Sequence, residues 1–204
     1  MDTSLINKVI GDTDIYLIDQ ILKGRYKEHE TILDAGCGIG RNMHWFLQNN
    51  LCIYGIDSNT TYITELKMDF PNLPPIRLQV ADIEQMPFGD NFFNHIISSA
   101  VLHFAESTQH FLNIMHEMFR VLKPNGTLFI RMTSDIGIEH LVKKLKNGIY
   151  MLPDGTTRFL LTREILRQVL HQYPLTFIEP LKSVNVDDMR CMSTLMLHKT
   201  IIKK

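Results

Sequence analysis

Cysteine is scarce in this sequence, with Cys37, Cys52 and Cys191 the only three among 204 residues. An odd number with no CxxC pair suggests neither a disulfide framework nor a zinc knuckle, and it fits a reducing, cytoplasmic setting. An excess of one charge is also missing. Lys and Arg number 21 against 22 Asp and Glu, a formal net charge of -1, which provides no field to gather nucleic-acid phosphates across the whole surface. Charge this close to zero allows a monomer or a homodimer. No uninterrupted apolar run approaches the ~18 residues of a membrane helix, and the start MDTSLINKVIGDTD has no basic stretch followed by an apolar one. These absences predict a soluble, unexported protein with no nucleic-acid or membrane partner. A metal motif is lacking too: His116-Glu117 begins an HExxH pattern, but Arg120 stands where the second histidine would grip zinc.

What is present is a globular composition, 45% hydrophobic and 21% charged, long enough for one domain over 1–204 that buries roughly 70% of its unfolded surface. No repeat, low-complexity tract or Ser/Gly-rich linker divides it. Short apolar runs alternate with helix-period segments, the pattern of a parallel sheet. TILDA (31–35), CIYGI (52–56), IRLQV (76–80), NHIIS (94–98) and TLFIR (127–131) are the candidate strands. Ile39, Met43, Phe46 and Leu47 form one helical stripe, and Phe111, Met115, Met118, Phe119 and Leu122 form another. An N-terminal helix is predicted over about 5–24, capped by Asp12 or Asp14, with Ile15, Ile18 and Leu22 as its apolar face. An inserted helix plus hairpin is predicted over about 135–161. Ile138, Leu141, Val142 and Leu145 form the helix stripe, and Pro153-Asp154-Gly155 the hairpin turn. Thr162 opens a further helix, and LTFIE and MSTLML read as two final strands forming an antiparallel edge.

The most informative segment is Asp34-Ala35-Gly36-Cys37-Gly38-Ile39-Gly40, directly after a strand and before a helix. Glycine allows a sharp turn and close approach to a ligand, and the helix start offers unpaired N–H groups. The spacing is GxGxG: a dinucleotide fingerprint would need glycine at 41, where Arg41 stands. Asp57 closes the next strand, where a carboxylate accepts from both hydroxyls of a ribose. Asp82 ends the third candidate strand on the same carboxyl edge, with a helix-cap or turn role as its structural alternative.

These residues resemble the class I S-adenosylmethionine-dependent methyltransferases over about residues 30–132. ILDAGCGIG matches the glycine motif, YGIDSN the ribose motif and VADIEQMPF the adenine motif, and VLKPNGTLFI leads into the fifth strand. The resemblance implies an α/β fold, a doubly wound, Rossmann-like and mostly parallel seven-stranded sheet with an antiparallel last strand. Gly40-Arg41-Asn42 and GTTRFLLT also look like the tellurite-resistance-type small methyltransferases. The implied cofactor is S-adenosylmethionine. Carried over, Gly36, Cys37, Gly38 and Gly40 would face its methionine part, and Asp57 with Ser58 its ribose. Asp82 and Ile83 would face the adenine edge and Asp34 the amino group. Arg41 would pair with the carboxylate or serve as a solvated helix-start residue, and Ser98, ending the fourth strand, joins this set.

The implied reaction is methyl transfer to a small-molecule acceptor. His103, in the loop after the fourth strand, is the candidate base, since imidazole titrates near operating pH, with a packed wall residue as its alternative. Arg131 and Arg158 are candidates for an anionic substrate, and Tyr16 and Tyr150 for the pocket roof. Cys37 has no paired histidine and reads as a small side chain that fits, not a nucleophile. Two other readings remain open: an NAD-dependent oxidoreductase, which the missing third glycine opposes, and a non-catalytic S-adenosylmethionine-binding module.

Overall fold

The structure, a computed structural model, describes residues 8–201. Strand β1 (Thr31–Ala35) lies between β2 (Cys52–Asp57) and β4 (Phe93–Ser99), parallel to both. Outward from these, β3 (Leu78–Val80) is parallel to β2 and β5 (Leu122–Ser134) is parallel to β4. The last strand, β11 (Arg190–Lys199), runs antiparallel to β5. Strands β9 (Leu175–Phe177) and β10 (Lys182–Val186) then lie against successive parts of β11, which makes them one interrupted edge. Across the sheet the order is β10-β11-β5-β4-β1-β2-β3. This is the doubly wound, mostly parallel arrangement with an antiparallel last strand.

Both faces are covered, which is why β1 and β4 are nearly continuously buried. One face packs Phe111, Ile114, Met115 and Met118 of α4 (Thr108–Val121) and Ile165 and Val169 of α5 (Arg163–Gln172). The other face packs Leu17 of α1 (Ile15–Leu22), Phe46 of α2 (His44–Gln48), and Ile63 and Leu66 of α3 (Thr60–Asp69). Caps appear where the sequence offers them. Thr162 Oγ1 accepts from the Ile165 amide, and Asn59 Oδ1 from the Thr61 amide.

Four segments differ from the periodicity reading. No helix forms over Ile138–Leu145: the segment turns, and Lys143–Lys144 form β6, paired with β7 (Ile149–Met151), itself paired with β8 (Thr157–Phe159). Ile138 is buried while Leu141 and Leu145 are exposed, so the four apolar residues never share a face. The N-terminal helix is interrupted at Gly11, whose φ is +58°, and restarts after Asp14, which caps α1; the part of its predicted range before residue 8 lies outside the described residues. Its stripe is rotated as well. Ile15 and Leu22 are exposed and Leu17 and Gln20 buried, because polar anchors set the docking: Asn42 Oδ1 accepts from the Asp14 amide and Glu179 accepts from Gln20 Nε2. Ile39 is exposed, since turns occupy the chain until α2 begins at His44. Residues Pro75–Arg77 form a short 3-10 turn, which shortens the third strand to Leu78–Val80.

Candidate active site

The loop after β1 is held by its backbone. The amides of Gly36 and Cys37 both donate to the carbonyl of Ile56, at 2.9 Å each. Gly36 sits at φ +79°, and a Cβ there would stand 2.6 Å from Val101 Cγ2, so this turn packs tightly on the loop after β4. Gly38, at φ +54°, has open space where a Cβ would be. Its amide donates to Asp57 Oδ2 at 2.9 Å, while the Asn59 amide donates to Oδ1 at 2.9 Å, fixing the carboxylate at the end of β2.

A cavity of about 470 Å³ opens over this loop. It gathers Gly36, Gly38, Asp57, Ser58, Asp82 and Ile83, the residues expected at the glycine, ribose and adenine motifs. Asp82 Oδ1 also accepts from the Glu84 amide at 2.8 Å, so its turn role is present alongside its place in the cavity wall. Beneath the loop, Asp34 is buried with Oδ2 unpartnered. Burial, reinforced by the Asp57 charge and opposed by that of Arg41, pushes its carboxyl up to about 7. Ser98 is buried with its Oγ likewise unpartnered. Cys37 is buried in the core against Met43, Gly55 and Phe46, and burial raises its thiol, so no thiolate faces the cavity.

Ala100 lines both this cavity and a second one of about 310 Å³. It ends the fourth-strand segment at φ +64° and donates its amide to the Arg131 carbonyl at 2.7 Å. His103 and Arg131 line the second cavity, with Asp154 and Arg158 from the inserted sheet and Arg190 from the start of β11. His103 is buried with Nδ1 unpartnered. Burial first, then the charges of Arg158 and Arg190, lower it to about 4, so the ring is neutral near neutral pH. Arg131 donates to Asp14 Oδ2 at 3.0 Å and lies 4.9 Å from the Tyr16 ring centroid. Arg158 lies 5.2 Å from that of Phe104.

Seven residues expected at the site line neither cavity: Asp34, Cys37 and Ser98 are buried in the core, Gly40 and Arg41 line a separate hollow, and Tyr16 and Tyr150 lie outside both. Arg41 turns to Asp14, 3.9 Å away, and donates to Ser99 Oγ at 3.4 Å. Tyr150 lies in β7, paired across the small sheet with Arg158. Sequence reasoning in turn missed Tyr62, Val101, Phe104, His110 and Ile114 in the first cavity, and Arg190 in the second. The position of Val101 and Phe104 directly after β4 was a usable signal, as His103 was found that way. Arg190 carries none. Among the described residues no group of three or more His, Cys, Asp or Glu is placed to hold a metal, and no helix is long and apolar enough to cross a membrane.

Comparison with known proteins agrees with this geometry. Residues 33–130 match the family described as methyltransferase domain. An uncharacterized methyltransferase of Bacillus subtilis, YodH, is 32% identical over 116 residues, covering 56% of this chain and 45% of that protein. The chain spans less than half the length of the first curated relatives it matches. Among solved structures, an S-adenosylmethionine-dependent methyltransferase from Clostridium acetobutylicum superposes with a TM-score of 0.70 at 13% identity, covering 98% of both chains. A 1,6-didemethyltoxoflavin-N1-methyltransferase from Burkholderia thailandensis, with S-adenosylhomocysteine bound, gives 0.68 at 16% identity, over 98% of this chain and 82% of that one. At such identities these likenesses concern the fold.

Proposed function

We propose that the chain is a class I S-adenosylmethionine-dependent methyltransferase that methylates a small-molecule acceptor, a reading supported by the methyltransferase-domain match over residues 33–130 and by the likeness of fold. The observation that carries this reading is the 470 Å³ cavity, where the open face of Gly38 and the end of Asp57 meet. The residues present suit the cofactor. Asp34 has a buried carboxylate oxygen without a partner, which an ammonium group would satisfy, and Gly38 leaves room where any side chain would intrude. Gly36 and Gly38 would hold the methionine part, Asp57 and Ser58 the ribose, and Asp82 and Ile83 the adenine.

When bound, S-adenosylmethionine supplies a methyl carbon on a sulfonium; an acceptor lone pair forms the new bond to that carbon as the S–CH3 bond breaks and its electron pair stays on sulfur. The chain's own part is placement and exclusion of water. Val101, Phe104 and Ile114 provide apolar wall in the first cavity. His103, neutral and with Nδ1 unpartnered, would take the proton of a hydroxyl or ammonium acceptor at that atom; a thiolate or reduced chalcogen anion would not need it. The second cavity, which shares Ala100 with the first, is the proposed acceptor site.

The test is a thermal-shift titration with S-adenosylhomocysteine, with NADH in parallel. Ligand at about a hundred times its dissociation constant stabilises by ~2.7 kcal/mol, which in a domain of this size raises the midpoint by roughly 5 to 11 °C. A rise with S-adenosylhomocysteine alone supports the assignment. A rise with NADH alone, or no rise with either, overturns it.

A further inference from the structure

Three arginines converge on the second cavity from three parts of the fold: Arg131 from the end of β5, Arg158 from the inserted sheet and Arg190 from the start of β11. Guanidinium groups repel one another, and a cluster of them facing a cavity is stabilised by a bound anion. Two of them have no ion pair to absorb their charge: among the described residues Arg158 and Arg190 have no carboxylate within salt-bridge distance, and Arg158 Nη1 donates only to the carbonyl of Thr157, at 2.7 Å. Arg131 is paired with Asp14 at 3.0 Å, but its Nε is buried with no partner. His103, on the same wall, has a buried unpartnered Nδ1. The opposing charge is limited. Asp154 lines the cavity, and its Oδ1 is engaged by the Thr156 amide at 2.9 Å and hydroxyl at 2.6 Å.

Resting on the methyltransferase reading above, we propose that the second cavity binds an acceptor through a carboxylate, held by Arg158 and Arg190 with Arg131 behind them, and that Arg190 is a specificity-determining residue for that acid. A planar carboxylate offers two oxygens that match the paired N–H groups of a guanidinium, and Arg158 and Arg190 present two such groups with no ion-pair partner among the described residues. Phe104, packed under the Arg158 guanidinium and lining the first cavity, provides apolar surface between the anion site and the cofactor cavity, where the carbon skeleton of such an acid would lie. Anion binding would also offset the positive charges that hold His103 low, and so raise its basicity as the acceptor arrives.

The test is calorimetric titration of the full chain at low ionic strength with benzoate, its neutral isostere benzamide, and inorganic phosphate, each with and without saturating S-adenosylhomocysteine. Arg158→Gln and Arg190→Gln serve as variants, since Arg190 is exposed and Arg158 half-buried and neither holds the core. Benzoate is expected to bind more than tenfold tighter than benzamide, with each substitution weakening benzoate at least fivefold and leaving benzamide unchanged. NMR titration of His103 in benzoate should show its pKa raised relative to the anion-free protein. Benzoate binding no tighter than benzamide, or insensitive to both substitutions, overturns the proposal. Phosphate binding tighter than benzoate overturns the choice of a carboxylate. The two readings fail separately: loss of S-adenosylhomocysteine binding with arginine-dependent benzoate binding intact sinks the cofactor assignment alone, and the converse sinks the acid pocket alone.

Discussion

The amide of Gly38 donates to Oδ2 of Asp57 at 2.9 Å, tying the loop after β1 to the carboxylate that closes β2. Two residues 19 positions apart in sequence thus form one edge of the cavity. A ribose would accordingly meet a carboxylate already oriented by two backbone amides, those of Gly38 and Asn59. Asp57→Ala should weaken S-adenosylhomocysteine by ~1 to 3 kcal/mol, roughly 5- to 150-fold. Calorimetric titration of the variant checks this, and affinity within twofold of the parent would remove Asp57 from the cofactor site.

Gly38 and Gly155 provide a matched pair. Both have positive φ, +54° and +79°, and a Cβ on either would meet nothing within 4 Å. The strain of a side chain in this region, about 1 to 2 kcal/mol, is common to both, but only Gly38 lines the cavity. Gly38→Val should therefore lower S-adenosylhomocysteine affinity more than tenfold, while Gly155→Val lowers the melting temperature comparably and leaves affinity unchanged. Equal affinities in the two variants would show that the loop does not approach the ligand.

Asp34 gives the uncomplexed protein a pH dependence of definite sign. Its folded carboxyl, raised by burial from 3.8 to about 7, keeps its proton where the unfolded chain has lost it. The contribution of Asp34 to stability is thus fully present below about pH 4 and is lost as pH rises through about 7, at ~1.4 kcal/mol per pH unit within that window. Asp34→Asn cannot ionise, so its stability relative to the parent should increase between pH 4.5 and pH 7.5 by a few kcal/mol. Denaturant melts at both pH values measure this, and a constant difference between the proteins would mean that Asp34 is ionised throughout.

His103 is held low by burial and by the charges of Arg158 and Arg190, to about 4. His103→Ala should leave S-adenosylhomocysteine affinity intact while turnover of a hydroxyl or amine acceptor drops by ~10²-fold or more. The neutral ring of the free protein also predicts that kcat/KM loses no activity to protonation of this ring between pH 8 and about pH 6. Undiminished turnover in the variant would return His103 to the role of a packed wall residue.

Much of this was legible in the chain because it depends on local chemistry and sequential order. The apolar runs ending in Ala35, Asp57 and Ser98 specify buried strands whose carboxyl ends carry a glycine turn or a polar side chain, and α4 and α5 follow from stripes of period 3.6 bounded by Ser107 and Thr162. In a parallel sheet with right-handed crossovers those ends must fall on one edge, so the first cavity could be anticipated from one-dimensional information.

The second cavity could not. Arg131, Arg158 and Arg190 lie far apart in sequence and are brought together by long-range pairing of β11 with β5 and by an insertion whose apolar residues mimic a helix. There Lys143 and Lys144 pair with Met151 and Tyr150, Ile138 is buried and Leu141 exposed, so non-local hydrogen bonding outweighs the weak local helical preference. Likewise Ile15 and Leu22 face solvent because Asp14 and Gln20 find partners at Asn42 and Glu179, an arrangement that exists only once the sheet has formed. The sequence by itself thus determined the sheet and the glycine loop after β1 proposed to meet the cofactor, whose signals are contiguous. Tertiary structure alone decided the face of α1, the form of the insertion and the convergence of three arginines, because each depends on contacts between residues that no local pattern links.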